Sequence, residues 1–243
     1  MPPRMANRFT VSAALSLRGL TSNGATRLHE EGRLLRFSNS TILETALKTL
    51  YLASQSPRRL QLLEQMTLAP RLLLPDEGED AEALEAILGA EAPDDYVRRV
   101  TLAKWAAAHA RWQARHALDP AGWPDGVILC SDTTVALDDE ILGKPEDGAH
   151  AFSVLSRLQG RWHRVLTAVA VGLGSAGPGK VSLAVSVSEV RFADIPADFL
   201  QAYVASGAPM GKAGSYAIQS QLAAWIPEIR GSYSGIMGLQ AAS

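Results

Sequence analysis

Leu50-Tyr51-Leu52-Ala53-Ser54-Gln55-Ser56-Pro57-Arg58-Arg59 is the stretch from which the fold is read. The apolar run Leu50 to Ala53 predicts a short strand. Ser56 followed by Pro57 predicts a helix start, with Ser as N-cap and Pro at the first helical position, and Leu60, Leu63 and Met66 continue at helical spacing. A strand passing straight into a helix is the opening of an α/β fold. The two arginines then fall in the first helical turn, where free N–H groups and the helix dipole already make the potential positive. Cations cost about 0.3–1 kcal/mol each at that end. A bound anion explains the cost, since N-terminal amides and guanidinium forks suit phosphate oxygens; a solvated basic helix end is the plain alternative. The GxxxxGK[ST] order is absent, so this is not a P-loop.

Strand and helix signals keep alternating downstream. Arg71 to Leu74 predicts a second strand, and the acidic run Asp76-Glu77-Gly78-Glu79-Asp80 a loop. A long helix starts near Pro93-Asp94-Asp95 with Val97, Val100, Ala103 and Ala107 on one face, and Pro120 to Gly126 breaks it. Val127 to Cys130 is an apolar strand feeding Ser131-Asp132-Thr133-Thr134. Val135 to Leu137 then pairs through Asp138-Asp139 with Ile141-Leu142 as a hairpin. A helix carrying Phe152, Leu155 and Leu158 ends at Gly160. A second hairpin runs from Val165 to Val171 and returns through Val181, Leu183, Val185 and Val187, whose period is two. Between its strands Gly172-Leu173-Gly174-Ser175-Ala176-Gly177 matches a GxGxxG dinucleotide fingerprint by letter, but that fingerprint needs a helix directly after it. Pro178-Gly179 and a strand follow instead, which predicts a hairpin loop. The last helix spans about 196–206 with Gly207 as its stop, and Tyr216 to Ile218 reads as a closing strand.

With 243 residues, 47% hydrophobic and 20% charged, the chain has the composition of a globular protein of one large domain, or one domain and a tail. A net charge of −2 gives no global basic field for nucleic acid or anionic membrane, so any anion site is local. No apolar stretch approaches the ~20 residues of a membrane span. Cys130, the single cysteine, excludes an intrachain disulfide, and its neighbours Val127, Ile128 and Leu129 read as burying a structural thiol. These features point to a cytoplasmic protein without nucleic-acid or membrane partners. Residues 1–48 differ, with seven Arg or Lys against three Glu and no acid before Glu30. They are expected to be an N-terminal extension, disordered or preceding the true start, with a faint likeness to a transit peptide. The domain proper is expected over 49–243.

Beside the Ser54 to Arg59 segment, two further constellations carry chemistry. Ser131-Asp132-Thr133-Thr134 delivers a carboxylate from an apolar strand to an expected sheet edge, where Asp132 can act as a base or hold Mg²⁺ and Thr133 can bond a ligand; a turn-forming Asp-Thr is the plain alternative. Gly143-Lys144-Pro145 adds a point positive charge, with an ordinary surface lysine as the plain alternative. Lys104 shares the face of Val97 and Val100, so it either snorkels or reaches the cleft. There it joins Arg58, Arg59 and Lys144 as four cations, a match to a magnesium triphosphate. The acidic run near Glu79 offers metal ligands. Gly211-Lys212-Ala213-Gly214-Ser215-Tyr216-Ala217-Ile218-Gln219 is a Gly-containing loop entering a strand, and Gln219, both donor and acceptor, suits the edge of a base. His163 reads as structural.

With these residues in view the chain resembles the Maf family of nucleoside triphosphate pyrophosphatases from about Leu50 to Leu239. The likeness runs through the stretches above and also Ala103-Lys104, His163-Arg164-Val165-Leu166-Thr167 and Gly231-Ser232-Tyr233-Ser234. It implies a mixed, strongly bent α/β sheet flanked by helices, with a nucleotide cleft between two lobes. It implies hydrolysis of a nucleoside triphosphate to the monophosphate and pyrophosphate with Mg²⁺ or Mn²⁺. Asp132 would be the proton acceptor and a metal ligand, with Glu79 on the metal side. Arg58, Arg59, Lys104 and Lys144 would bind substrate phosphates, Ser54 would also contact the substrate, and Arg58, Thr133 and Gln219 would set base choice. The form of Lys212 to Gln219 looks like the branch acting on dTTP, UTP and modified pyrimidine nucleotides. The alternatives are a nucleotide-binding regulator of septum formation with little turnover, and a 7-methyl-GTP pyrophosphatase. Oligomeric state, a homodimer included, is left open. Gly211 departs from an often acidic family position and Ser220 from a usual glycine. Gly238 to Ser243 ends where relatives continue into a helix, from which weakened folding or activity is expected.

Overall fold

The computed structural model of the chain describes residues 48–177 and 179–240. Strand β1 (Thr49–Leu52) leads into helix α1 (Pro57–Gln65), as the opening stretch predicts. There follow β2 (Arg71–Leu72), a 3₁₀ turn (Ala83–Glu85) and the long helix α2 (Pro93–Leu118). Next come β3 (Gly126–Leu137), β4 (Glu140–Leu142), α3 (Gly148–Leu158), β5 (Trp162–Leu173), β6 (Ser182–Arg191) and α4 (Ala197–Ala205). Two 3₁₀ segments (Ala213–Ser215 and Gln221–Trp225), β7 (Glu228–Arg230) and α5 (Tyr233–Met237) complete the described chain. Of the segment expected as an extension only Lys48 is described; the remainder, like Ala241 to Ser243, lies outside the described residues.

All seven strands form one open mixed sheet in the order β2-β1-β3-β5-β6-β7, with β4 also paired to β3. β1 runs parallel to β2 and β3, and the other pairings are antiparallel. Because strand side chains alternate, Tyr51, Ile128 and Cys130 face α2 and pack with its Trp105, Ala108 and Trp112. Leu52 and Leu129 face the opposite layer, with Leu62 and Leu63 of α1, Leu155 and Leu158 of α3, Leu200 of α4 and Met237 of α5. The same alternation puts Asp132 on the α2 side and Ser131 and Thr133 on the α1 side.

The GxGxxG letters have a packing cause. A Cβ on Gly172 would sit 2.4 Å from the Trp105 ring and one on Gly174 2.6 Å from the Trp112 ring. These glycines let two tryptophans of α2 lie flat on the end of the hairpin. Cys130 is fully buried, and burial pushes its thiol up to about 12, so it stays protonated and inert as expected. Among the described residues no helix is long and apolar enough to cross a membrane.

Two expectations need correction. Ser131 to Thr134 is not the end of a strand, because β3 runs unbroken for 12 residues from Gly126 to Leu137. What opens there is one edge of it. β1 pairs only with Gly126 to Leu129 and β4 only with Val135 to Leu137, so residues 130–134 face no strand on that side while β5 covers the other. Tyr216 to Ile218 is not a closing strand either. Its alternate burial reflects Tyr216 and Ile218 plugging the core, where the Tyr216 ring stands edge-on to Phe192 and His163. α5, β7 and the Gln221–Trp225 turn carry too few residues for a periodic signal, and the sequence reading misses them.

Candidate active site

The gap in the edge of β3 is where the chemical residues meet. Asp132 projects to the α2 side, and the seven-residue spacing from Val97 brings Lys104 to the same place. Lys104 Nζ lies 2.5 Å from Asp132 Oδ1 and 2.7 Å from Glu85 Oε1. No hydrogen bond among the described residues reaches Asp132 Oδ2, and Asp132 lines the cavity.

On the opposite side α1 supplies the two arginines, which differ in use. Arg59 is committed: Nε donates to the Gly238 carbonyl at 2.9 Å, one terminal nitrogen to Ser54 Oγ at 3.1 Å and the other to Thr133 Oγ1 at 3.2 Å. Burial pushes its guanidinium below its ordinary value, opposed by the charge of Asp132. Arg58 makes no hydrogen bond or ion pair among the described residues and lines the cavity. Ser56 holds the N-cap position, but its side chain makes no capping bond; its N–H goes to Ser54 Oγ at 3.1 Å. With no side-chain cap, the first-turn amides of α1 remain for a ligand.

Below the arginines a hydroxyl relay ties the two central strands to α5. Thr133 Oγ1 and Thr167 Oγ1 are 2.9 Å apart, Thr167 Oγ1 donates to Gly235 O at 2.8 Å, and the single hydroxyl of Ser131 is shared between Gly238 O and Ala168 O, each at 2.8 Å. Gly238, at φ +117°, thus receives hydrogen bonds from both Ser131 and Arg59. The sequence reading misses Thr167 and Gly238 as site supports. A hydroxyl inside the valine-rich β5 was the available signal for the first.

Lys144 follows β4, and its Nζ sits 2.9 Å from Glu85 Oε2 and 3.0 Å from Glu82. Burial works against that charge, yet the hydrogen bonds it donates to Glu85 and Glu82 hold its pKa above the ordinary value. The Gly211 to Gln219 loop is fixed alongside by Gly214 N–H donating to Gly143 O at 3.1 Å. Gly214 has φ +64°, and a Cβ there would lie 2.8 Å from Val135. Gln219 stands exposed in a turn rather than at a strand end. Lys212 also lines the cavity, with its pKa lowered by burial and by nearby Arg58.

One cavity of about 880 Å³ brings together Ser54, Arg58, Arg59, Glu79, Lys104, Asp132, Thr133, Lys144 and Gln219. That volume falls within the range of ligand pockets, roughly 300–1,000 Å³. Glu79 is there but engaged, since Arg111 grips its two oxygens at 2.9 and 2.5 Å and pulls its pKa to about 2. Glu85, which the sequence reading also misses, is linked to Asp132 through Lys104, whose Nζ bonds both carboxylates. Among the described residues no three His, Cys, Asp or Glu side chains group as metal ligands. The donor set fits a cation that arrives with its substrate, because Mg²⁺ is commonly held by one or two carboxylates plus substrate phosphates.

His163 is structural, as expected. It is buried, its Nε2 lies 2.6 Å from Tyr216 Oη, and burial pushes its pKa down to about 3. An unfolded imidazole titrates near 6.5. The unfolded chain therefore binds a proton that the folded chain refuses, and stability is lost as pH falls from about 6.5 toward 3. The slope is at most about 1.4 kcal/mol per pH unit. Urea unfolding between pH 7 and 5 should show a shallower loss in His163→Phe than in the wild type; equal slopes would refute this origin.

A family described as Maf-like protein matches residues 49–243. A protein of Polaromonas sp. named dTTP/UTP pyrophosphatase is 54% identical over 189 residues, covering 78% of this chain and 89% of its own. Proteins of the same name from Ralstonia nicotianae and Cupriavidus metallidurans are 54% and 53% identical over 190 residues, each covering 78% of this chain and 87% and 90% of their own.

Proposed function

This chain belongs to the Maf-like family, and from that membership and its cavity we propose that it hydrolyses dTTP and UTP, and modified pyrimidine nucleotides, to the monophosphate and pyrophosphate. The observation that carries the reading is the gap in the edge of β3. There Asp132 is paired with Lys104 of α2, and Arg58 of α1 lines the same cavity from the opposite face of the sheet. Asp132 accepts the proton of a water attacking the α-phosphorus, and Lys104 orients the carboxylate by holding Oδ1 and leaving Oδ2 to the water. The uncapped first turn of α1, Arg58, Lys104 and Lys144 bind the phosphates and stabilise charge on the departing pyrophosphate, while Ser54 and Arg59 shape the wall. Arg58, Thr133 and Gln219 set base choice, with the Gln219 amide pairing the donor and acceptor edge of a pyrimidine. Asp132 would be the residue to hold Mg²⁺ or Mn²⁺, which would supply further neutralisation of phosphate charge. Glu79 joins as a ligand only on leaving Arg111. The reaction is assigned to the cytoplasm.

A pyrophosphate-release screen across a nucleoside triphosphate panel with Mg²⁺ tests this. Turnover of dTTP and UTP is expected to exceed that of GTP, ATP, CTP and 7-methyl-GTP by at least about tenfold in kcat/KM, the scale of one mispaired buried hydrogen-bonding edge. Tight dTTP binding by calorimetry with no turnover would replace the enzyme reading with that of a binding regulator.

A further inference from the structure

Lys104 and Lys144, both assigned to phosphate, are each already satisfied by a carboxylate from one short segment. Between β2 and α2 the chain lines the cavity and is anchored at both ends. Arg111 grips Glu79 at one end; at the other Arg99 holds Glu91 at 2.7 Å and the Ala86 carbonyl at 2.8 Å. Between these anchors Glu85 takes Lys104 on one oxygen and Lys144 on the other, at 2.7 and 2.9 Å. Tyr96 Oη fixes its backbone by donating to the Glu85 carbonyl at 2.9 Å. Burial alone would raise the pKa of Glu85, but the two lysines hold it below the ordinary carboxylate range, so it is an anion in the free protein.

Glu82 is a weaker partner. Its side chain is 83% exposed, and exposed pairs contribute little. Glu85 is 24% exposed and Lys104 18%, so this pair is shielded from solvent and competes in earnest with an incoming anion.

We propose that Glu85 is a substrate-displaced positioning residue. It occupies the Lys104 and Lys144 ammoniums in the free enzyme, surrenders them to the substrate phosphates, and reclaims them as pyrophosphate leaves. No bond is made or broken by Glu85. The inference rests on the phosphate-binding reading of the cavity, and it predicts something a merely structural glutamate would not: removing its charge strengthens anion binding.

The test uses inorganic pyrophosphate on the full chain in a metal chelator, measured by calorimetry. Glu85→Gln keeps the shape and removes the charge, and it should tighten pyrophosphate binding about tenfold, with a matching fall in the inhibition constant of pyrophosphate during turnover. Unchanged or weaker binding overturns the proposal, since a glutamate that only buttresses the lysines would loosen the site when neutralised. If Glu85→Gln does not fold, Glu85→Asp carries the test, because its shorter carboxylate cannot span Lys104 and Lys144 together. It should tighten binding about twofold, and no tightening there also overturns the idea. Wild-type protein that binds pyrophosphate but releases none from any nucleotide would sink the enzymatic reading while leaving the Glu85 measurement interpretable.

Discussion

Asp132→Asn should lower kcat for dTTP by two to four orders of magnitude, the range that one positioned general base contributes, with the melting temperature nearly unchanged. The substitution is close to isosteric. The amide oxygen can still accept from Lys104 at the 2.5 Å position, and Lys104 keeps Glu85 as a counter-ion, so no buried charge is stranded. What disappears is the ability to take a proton from water. KM should move little, because Arg58 and Lys144 still bind the phosphates. Asp132→Glu keeps the charge but pushes it about one methylene further into the cavity, and because catalysis is sensitive to displacements near 1 Å it should recover only a small part of the loss. Pyrophosphate release under saturating substrate, beside thermal unfolding of both variants, decides it. Equal turnover by Asp132→Asn would remove Asp132 from the role of base.

The local features of this site are legible in the sequence because each rests on short-range chemistry. Ser56-Pro57 announces a helix start whatever surrounds it, and Val97, Val100 and Lys104 share a face by helical geometry alone. What escapes is set by how far separate strands pair. Nothing in Ser131 to Thr134 says that β1 pairs with β3 no further than Leu129 and that β4 pairs only with Val135 to Leu137, yet that interruption makes the opening. Glu85 escapes for a related reason: its neighbours Lys104 and Lys144 are 19 and 59 positions away, and a carboxylate in an acid-rich stretch reads as solvated. α5 escapes because five residues give no period, although the Gly235 carbonyl within it anchors Thr167 and the Gly238 carbonyl just after it anchors Arg59.

The adjacent arginines show this limit most sharply, and they should separate cleanly by experiment. From sequence Arg58 and Arg59 are equivalent first-turn cations. Arg58→Ala should raise KM for dTTP at least about tenfold, the loss of one charge-assisted phosphate contact, and change unfolding free energy by no more than about 0.5 kcal/mol, since no partner among the described residues loses a bond. Arg59→Ala should instead cost about 3 kcal/mol of stability. It strips the donors that Ser54, Thr133 and Gly238 share and frees the backbone after α5 from the sheet. Activity falls with it, because Thr133 and Ser54 line the cavity. Arg59→Lys should restore little, as a single ammonium cannot span three acceptors that a planar fork reaches at once. Urea unfolding beside steady-state kinetics on the three variants tests the division. Were Arg58→Ala the destabilised variant, or Arg59→Ala fully stable with only KM raised, the assignment of Arg58 to substrate and Arg59 to the wall would be reversed. The mechanism would then have to draw its phosphate contact from the deeper arginine.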